Sequence, residues 1–355
     1  MATATSDTET EIARARAEFA GGRGYLAACT TGLTPTVARD ALLADVAAVA
    51  SGRVDVVNYS RAVERSREHF AHLVGVGTDR VAIGSQASVF AGLVAAGVPD
   101  GGEVLCAEGD FSSVILPFVH AGRGIRVRVA PLERLAEAVT PRTSLVAFSV
   151  VQSATGAVAD GAAIAAAARK HGARTLCDAT QAVGWMPVDA TVYDAVVCHA
   201  YKWLCSPRGA AFLAVSESFQ AEIPAIFAGW YAGADPWSSC YGHEVELAPD
   251  ASRFDVSPAW QSFVGAEHAL ALFASLDPEV VRGHTTGLAR SFADELGLDA
   301  AGSAIVTWPD AGGSDLARLA AAGVTASGRA GRARVAFHVF NDADDVALAL
   351  RALRR

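Results

Sequence analysis

Two apolar runs that lead to opposite charges constrain the fold of this chain more than any other feature. The first run, Thr175-Leu-Cys-Asp178, ends in a carboxylate, and the second, Tyr193–His199, leads within three residues to Lys202. Strands that helices cover on both faces of a sheet are apolar throughout, as these runs are. Because the carboxyl ends of parallel strands meet at one edge, the pattern predicts an acid and an amine close together at a sheet edge.

The order of the remaining segments predicts an α/β fold. From about residue 80 onward apolar runs alternate with helical patterns, as expected for a sheet with helices on both faces. At least six strands can be recognised, at 81–84, 103–107, 144–151, 175–177, 192–198 and 210–215. The last one follows a Ser-Pro-Arg-Gly turn and is expected to run antiparallel. We expect a large domain at 35–245 and a smaller one formed by 1–34 and 246–355.

Composition excludes several classes of function. The chain is 52% hydrophobic and 19% charged, which argues for a large core and against disorder. Its net charge of −9, without a block of basic residues, argues against binding to the negatively charged phosphates of nucleic acid. No apolar run reaches the roughly 18 residues of a membrane span, and the first dozen residues do not resemble a secretory signal. The six cysteines form no C-x-x-C pair, so we expect buried thiols, no metal site and a cytoplasmic protein.

The acid and the amine together indicate a specific chemistry. Apolar neighbours lower the pKa of a lysine ammonium, which is the condition for Schiff-base formation at Lys202. A carboxylate such as Asp178 can pair with a protonated pyridine nitrogen and make that ring an electron sink. Taken singly, Lys202 could be a solvated loop residue and Asp178 a helix cap. The pair predicts a pyridoxal 5′-phosphate (PLP) site, and the absence of a G-x-G-x-x-G motif argues against a dinucleotide.

Further residues are candidates for binding the cofactor phosphate. Ser85, Gln86 and Ser88 follow a strand and open a helix, whose free N–H groups attract anions. A simple Ser cap would explain these residues nearly as well. His199 and Tyr201, which precede the lysine, could supply more donors to the same phosphate.

Three other positions are candidates for contacts with the ring and with the substrate. Gln181 could donate to the phenolic oxygen of the ring, and Phe111 could stack on the ring face or be an ordinary core aromatic. Arg334 lies in an apolar strand, where its planar guanidinium suits the α-carboxylate of an amino acid. Arg329 and Arg332 compete with it for this role.

As a set, these motifs resemble the class V aminotransferase superfamily of PLP-dependent enzymes, over nearly the whole chain. Asp178-x-x-Gln181 is similar to the Asp-x-x-His/Gln pair of that family, and His199-Ala-Tyr201-Lys202-Trp203 to its lysine motif. The resemblance implies the fold of type I PLP-dependent transferases. That fold has a mostly parallel seven-stranded sheet in a large three-layer domain and a smaller α+β domain.

Within the superfamily two details resemble the kynureninase branch. Gly229-Trp230-Tyr231-Ala-Gly233 is similar to a kynureninase loop that lends a tryptophan to the phosphate of the neighbouring subunit, which implies a cofactor contact for Trp230 and a homodimer. Arg334-Val-Ala is similar to the C-terminal run that binds the substrate carboxylate. The second Trp and the His of the kynureninase loop are replaced here, so kynurenine itself is not favoured as substrate. Residues 300–334 lack the cysteine that a cysteine desulfurase carries there.

We therefore expect a PLP-dependent lyase whose small-molecule substrate is an amino acid or an amino-acid conjugate. Lys202 would act as the base at Cα, followed by β-elimination or by C–S or kynureninase-like bond cleavage. A class V aminotransferase and an amino-acid epimerase are the alternatives. A catalytically inert protein with the same fold is the non-enzymatic alternative. No nucleic-acid or membrane partner is expected.

Overall fold

The computed structural model describes residues 2–300 and 302–354. Seven strands form the main sheet: β1 (Val81–Gly84), β2 (Glu103–Ala107), β3 (Arg126–Ala130), β4 (Thr143–Ser149), β5 (Arg174–Asp178), β6 (Ala195–His199) and β7 (Ala211–Val215). Their order across the sheet is β1-β7-β6-β5-β4-β2-β3. Strand β7 is antiparallel to both of its neighbours, and the other pairs are parallel. The predicted mostly parallel seven-stranded sheet is therefore confirmed.

Helices cover both faces of this sheet. The helices are α1 (Ala2–Ala17), α2 (Thr36–Ala50), α3 (Val56–Leu73), α4 (Ala87–Gly97), α5 (Ser112–Val119), α6 (Leu135–Ala138), α7 (Gly161–His171), α8 (Glu217–Gln220), α9 (Trp260–Ala274), α10 (Pro278–Leu296), α11 (Ser314–Ala321) and α12 (Ala343–Leu353). Alternate residues of each strand point to opposite faces. Val81 and Ile83 accordingly join one buried cluster and Ala82 joins another. The result is a three-layer arrangement with a core on each side of the sheet.

A second, smaller sheet follows in the C-terminal part of the chain. It contains β8 (Ile305–Pro309), β9 (Ser327–Arg329) and β10 (Arg332–Ala336), all antiparallel in the order β8-β10-β9. Its apolar face packs with α10 and α12 around Phe292, Trp308 and Val335. Helix α9 packs on α2 and α3 beside the main sheet. The domain boundaries themselves remain a prediction.

A buried ion pair holds the edge strand β1. Arg67 Nη2 lies 2.6 Å from Asp255 Oδ2, and both side chains are almost fully buried. Asp255 Oδ1 accepts a 2.7 Å hydrogen bond from the Ile83 N–H, and Arg67 Nη1 donates to the Val81 carbonyl oxygen. These bonds satisfy backbone groups that an edge strand leaves unpaired. They also fix the strand that leads directly into Ser85 and the start of α4.

No helix of residues 2–300 and 302–354 combines the length and the apolar character needed to cross a bilayer.

Candidate active site

A cavity lies where the carboxyl ends of the parallel strands meet. Eight of the eleven residues predicted for the site line this cavity: Gln86, Ser88, Phe111, Asp178, Gln181, His199, Tyr201 and Lys202. Its other lining residues are Ala87, Ser113, Ser149, Ser153, Thr180 and Arg208. The remaining three predicted residues, Ser85, Trp230 and Arg334, do not line it. The sheet thus brings the acid and the amine of the two apolar runs to one place.

Lys202 is the buried amine of the cavity. Its side chain is only 5% exposed, and Nζ lies 5.3 Å from the ring centroid of Phe111 and 5.6 Å from that of Tyr201. Burial lowers the pKa of Lys202 to about 8, and the negative charge of Asp178 partly opposes this effect. Within the described chain no carboxylate lies within 4.0 Å of Nζ. A substantial fraction of the amine is therefore neutral and nucleophilic near pH 8.

Asp178 is the last residue of β5 and is 4% exposed. Its Oδ1 accepts a 2.8 Å hydrogen bond from the Thr180 N–H, so the carboxylate does cap the following turn. Burial raises the pKa of Asp178, while Thr180 and the charge of Lys202 act in the opposite direction. No cation of the described residues comes within 4.0 Å of this carboxylate. A buried carboxylate without an adjacent cation would be stabilised by a positively charged ring nitrogen in the cavity.

His199 presents a buried nitrogen that has no partner. The backbone N–H of His199 donates to Thr180 Oγ1 at 3.0 Å, but Nε2 of the ring makes no hydrogen bond. Burial lowers the pKa of His199 to about 4, and the nearby charges of Arg208 and Lys202 add to the effect. The ring is therefore neutral at pH 7 and packs edge-on against Tyr201, with ring centroids 4.4 Å apart. An unpaired polar atom of this kind marks a position where a polar ligand fits.

The start of helix α4 supplies further donors to the same cavity. Helix α4 begins at Ala87, two residues later than the sequence indicated, and Gln86 occupies the cap position without a side-chain cap bond. Gln86, Ala87 and Ser88 line the cavity, whereas Ser85 lies just outside it. Free N–H groups at a helix start bind anions. These N–H groups and His199 Nε2 fit the phosphate of PLP, Asp178 fits its ring nitrogen, and Lys202 fits its aldehyde.

Phe111 is held in place by a partly buried carboxylate, Asp110, that sequence reasoning missed. Asp110 Oδ1 accepts hydrogen bonds from the Phe111 N–H at 2.6 Å and from Ser149 Oγ at 2.5 Å, and Oδ2 accepts the Ser149 N–H at 2.7 Å. Phe111 is 44% exposed, which leaves its ring free to face a ligand. Asp110 therefore positions the residue predicted to stack on the cofactor ring, and that stacking stays a prediction.

Gln181 has no spare donor in this structure. Its Nε2 donates to the Cys29 carbonyl at 2.9 Å and to Ser153 Oγ at 3.1 Å, and its Oε1 accepts from Trp203 Nε1 at 2.8 Å. Both N–H groups of the amide are thus in use. The predicted bond to a phenolic oxygen would have to replace one of them.

Arg334 is a buried cation beside the cavity. The residue is 1% exposed and donates to Thr30 Oγ1 at 2.8 Å, to Ser327 Oγ at 3.1 Å and to Ser153 Oγ at 3.0 Å. Burial lowers the pKa of Arg334, and no carboxylate of the described residues pairs with it. Because Ser153 lines the cavity, Arg334 is one contact away from the ligand space.

The two competing arginines point elsewhere. Arg332 donates to the carbonyl and the hydroxyl oxygen of Thr307 in the neighbouring strand. Arg329 is exposed and donates to the carbonyl of Gly328. Their contacts leave Arg334 as the best candidate for binding a carboxylate.

Residues of the N-terminal segment also reach the site, although no local motif identifies them. The Gly32 N–H donates to the Tyr201 carbonyl at 2.9 Å. A Cβ at Gly32 would lie 2.0 Å from the Lys202 carbonyl oxygen, so only glycine allows this approach. Cys29 and Thr30 contact Gln181 and Arg334 as described above. This segment clamps the backbone that carries the lysine.

Trp230 lies apart from the cavity of its own chain. Its Nε1 donates to Ser257 Oγ at 3.3 Å, and its ring lies 5.0 Å from that of Trp237. A contact with the phosphate of a neighbouring subunit stays a prediction. Among the described residues no group of three or more side chains could hold a metal ion.

Comparison with known proteins gives consistent matches. The family model for class-V aminotransferases matches residues 27–306. A kynureninase from Deinococcus radiodurans is 29% identical over 310 residues, which cover 81% of this chain and 74% of that protein. A probable cysteine desulfurase from Aeropyrum pernix is 37% identical over 145 residues, which cover 37% of this chain and 35% of that protein.

Solved structures share the whole fold. A cysteine desulfurase from Escherichia coli superposes with a TM-score of 0.84 at 19% identity, covering 96% of this chain and 97% of the other. The cystine C–S lyase C-DES, in complex with cysteine persulfide, gives a TM-score of 0.81 at 21% identity, with 94% and 97% covered. At these identities the structural matches establish the fold alone.

Proposed function

Because the chain belongs to the class-V aminotransferase family, we propose that it is a PLP-dependent lyase acting on an amino acid or an amino-acid conjugate. One observation supports the cofactor most directly. A buried amine, a buried carboxylate and the unpartnered Nε2 of His199 meet in one cavity. The lyase is preferred because the similarity to a kynureninase extends over 81% of this chain.

The residues of the cavity divide the binding of the cofactor among them. When bound, PLP supplies a pyridinium ring that accepts the electrons released at the substrate Cα. Asp178 would stabilise the positive charge of the ring nitrogen. His199 Nε2 and the start of helix α4 would bind the phosphate, and Lys202 Nζ would hold the cofactor covalently.

Lys202 and Arg334 then act on the substrate. With cofactor and substrate bound, the Lys202 amine would accept the proton from Cα, because its lowered pKa keeps it in the neutral form that can take up a proton. Arg334 is anchored by Thr30 and Ser153 and binds the α-carboxylate, so that the orientation of Cα is fixed. Residues 300–334 contain no cysteine, so a persulfide on that segment is not part of the proposal.

The cofactor can be tested with unusual precision because the chain has only two lysines, Lys170 and Lys202. Purified protein with PLP should be yellow, and reduction with borohydride should place the cofactor on Lys202 and leave the exposed Lys170 free. Lys202→Ala should be colourless. Wild-type protein that takes up no PLP, or label on Lys170 alone, would contradict the proposal.

The reaction can be tested separately with a panel of amino acids and S-conjugated cysteines. A lyase releases ammonia and a keto acid without any amino acceptor. If product forms only when an oxo acid is added, the protein is an aminotransferase. If the only change is loss of optical activity, it is an epimerase.

We also propose that the protein is a cytoplasmic homodimer. Leu43 and Val46 on α2 and Val57 on α3 are 62%, 57% and 81% exposed, an apolar surface of the kind that subunit contacts bury. The described cysteines are free and five of the six are buried, which suits a reducing compartment. Sedimentation equilibrium tests the dimer, and a fully active monomer would contradict it.

A further inference from the structure

A second cation lies on the rim of the cavity, and its role is not explained by the residues discussed so far. Arg208 lies in the turn between β6 and β7, lines the cavity and is exposed. Its guanidinium carbon lies 4.7 Å from the ring centroid of Tyr201. In the described parts of the chain no carboxylate comes within 4.0 Å of the guanidinium. Arg208 is therefore a cation without an acidic partner.

The backbone of this turn is fixed. Ser262 Oγ donates to the Arg208 carbonyl at 2.8 Å, and the Ala200 N–H donates to the Ala210 carbonyl at 3.1 Å. Gly209 has φ of +110°, and a Cβ there would lie 2.7 Å from Ser262 Oγ, so the turn requires glycine. The turn therefore fixes the backbone of Arg208, whose guanidinium lies over the ring of Tyr201 just beyond β6.

Arg208 shares this corner of the cavity with His199. Its positive charge is, after burial, the next cause of the lowered pKa of His199. The buried and unpartnered Nε2 of His199 lies in the same cavity as the start of helix α4 at Ala87 and Ser88. The Arg208 guanidinium, His199 Nε2 and the start of helix α4 can all stabilise a bound anion.

The balance of charges in the cavity also favours an anionic ligand. Asp178 is the one carboxylate among the lining residues, and Lys202 and Arg208 are the two cations. The amine of Lys202 is used when it binds an aldehyde. Arg208 is then the remaining side-chain cation that can offset a phosphate dianion, and its planar fork suits phosphate oxygens.

We propose that Arg208 binds the phosphate group of PLP, as an additional cofactor-binding residue that the family motifs did not indicate. The inference rests on the proposed function, since it concerns the same cavity. It is distinct from a role in substrate binding, in which Arg208 would hold an acidic group of the substrate.

The test compares PLP with pyridoxal, which has the same ring and aldehyde but no phosphate. Apoprotein is titrated with each compound, and binding is followed by visible absorption. For Arg208→Ala we expect the dissociation constant of PLP to rise about tenfold, because one charge-assisted contact is lost at a partly exposed site. The constant for pyridoxal should not change. Inorganic phosphate should compete with PLP less well in the variant, and Arg208→Lys should restore part of the affinity.

Arg290→Ala is the matched control, because Arg290 is also exposed and lies on α10 outside the cavity. It should leave both constants unchanged. Equal losses for PLP and pyridoxal in Arg208→Ala would mean that the residue only supports the fold of the turn. Unchanged cofactor affinity, with or without a raised KM for the substrate, would overturn the proposal. Failure of the wild type to bind PLP would instead refute the proposed function.

Discussion

The imidazole Nε2 of His338 donates a 2.9 Å hydrogen bond to the carbonyl oxygen of Trp203, the residue that follows Lys202. The Nδ1 atom of the same ring accepts the Val339 N–H at 2.8 Å, which assigns the ring proton to Nε2. The ring is stacked between Trp203 and Phe340, with interplanar angles of 17° and 2°. A residue just beyond β10 thus holds the backbone beside the reactive lysine.

Replacing His338 by phenylalanine should weaken this link while keeping an aromatic ring in the stack. The buried Trp203 carbonyl would lose its donor, which should lower the free energy of unfolding by about 1–3 kcal/mol. The affinity for PLP should fall as well, because the backbone next to Lys202 is less constrained. Urea denaturation and cofactor titration measure the two effects. Phe340→Leu removes stacking but keeps the hydrogen bond, and an equal loss of PLP affinity in that variant would argue against a special role for the bond.

His338 should also make the stability of the protein depend on pH. Burial lowers its pKa to about 3, whereas an unfolded histidine has a pKa near 6.5. Between about pH 6.5 and pH 3 this histidine is therefore protonated in the unfolded chain and neutral in the folded chain. The free energy of unfolding falls as the pH falls through this window. Between pH 7.5 and 5.0 this residue should account for about 2 kcal/mol.

The measurement is the urea midpoint at pH 7.5 and 5.0 for the wild type and for His338→Phe. The variant should lose less stability between the two values. Burial raises the pKa of Asp178, which acts in the opposite sense, so the difference between the two proteins is the informative quantity. Identical pH dependence in both would show that folding does not lower the pKa of His338, and it would contradict this account.

The sequence predicted the main sheet and the central pair of the site because both depend on local patterns. Buried parallel strands are continuous apolar runs, and the acid and amine follow two of them directly. The match over residues 27–306 confirms the predicted class V family. Because enzymes of this family depend on PLP, the match also confirms the predicted cofactor. The strand β3 was not recognised because it is an edge strand: Arg126 and Val129 are exposed, and the run Arg-Val-Arg-Val-Ala is only partly apolar.

Other parts of the site are determined by contacts between distant segments. Cys29, Thr30 and Gly32 reach the site because the N-terminal segment packs against the small sheet, where Ala27 bridges to Ala336. The partners of Gln181 depend on the position of Trp203, which no spacing in the sequence gives. Arg208 is one exposed arginine in a turn, and its lack of an acidic partner becomes visible only in three dimensions.

The reactivity of Lys202 should be measurable in the apoprotein. With a pKa of about 8, about a quarter of the amine is neutral at pH 7.5, against about one part in a thousand for an ordinary lysine. Reductive alkylation with a small aldehyde should therefore label Lys202 near neutral pH, and the rate should rise with pH up to about 8. Lys170 is exposed and is the internal control for access of the reagent to a lysine side chain.

Asp178→Asn should move this profile to lower pH. The carboxylate of Asp178 raises the pKa of Lys202, so its removal should lower that pKa further. Mass spectrometry of the two lysine peptides across a pH series gives both profiles from one sample. A shift to higher pH in Asp178→Asn, or labelling of Lys202 that follows Lys170, would contradict the electrostatic account of the site.

The buried pair of Arg67 and Asp255 should be the most costly ion pair to break. Arg67→Ala leaves a buried carboxylate without its cation, which typically costs 3–5 kcal/mol. Since Asp255 also binds the Ile83 N–H in β1, the variant should lose PLP affinity through displacement of the turn at Ser85.

The pair of Arg65 and Glu267 is the control: Arg65 is 55% exposed, so Arg65→Ala should cost less than about 1 kcal/mol. The double variant Arg67→Met, Asp255→Asn should recover part of the lost stability, because the unpaired carboxylate that remains, Glu64, is 54% exposed and solvated. Similar urea midpoints for Arg67→Ala and Arg65→Ala would show that the buried pair does not hold the edge of the sheet.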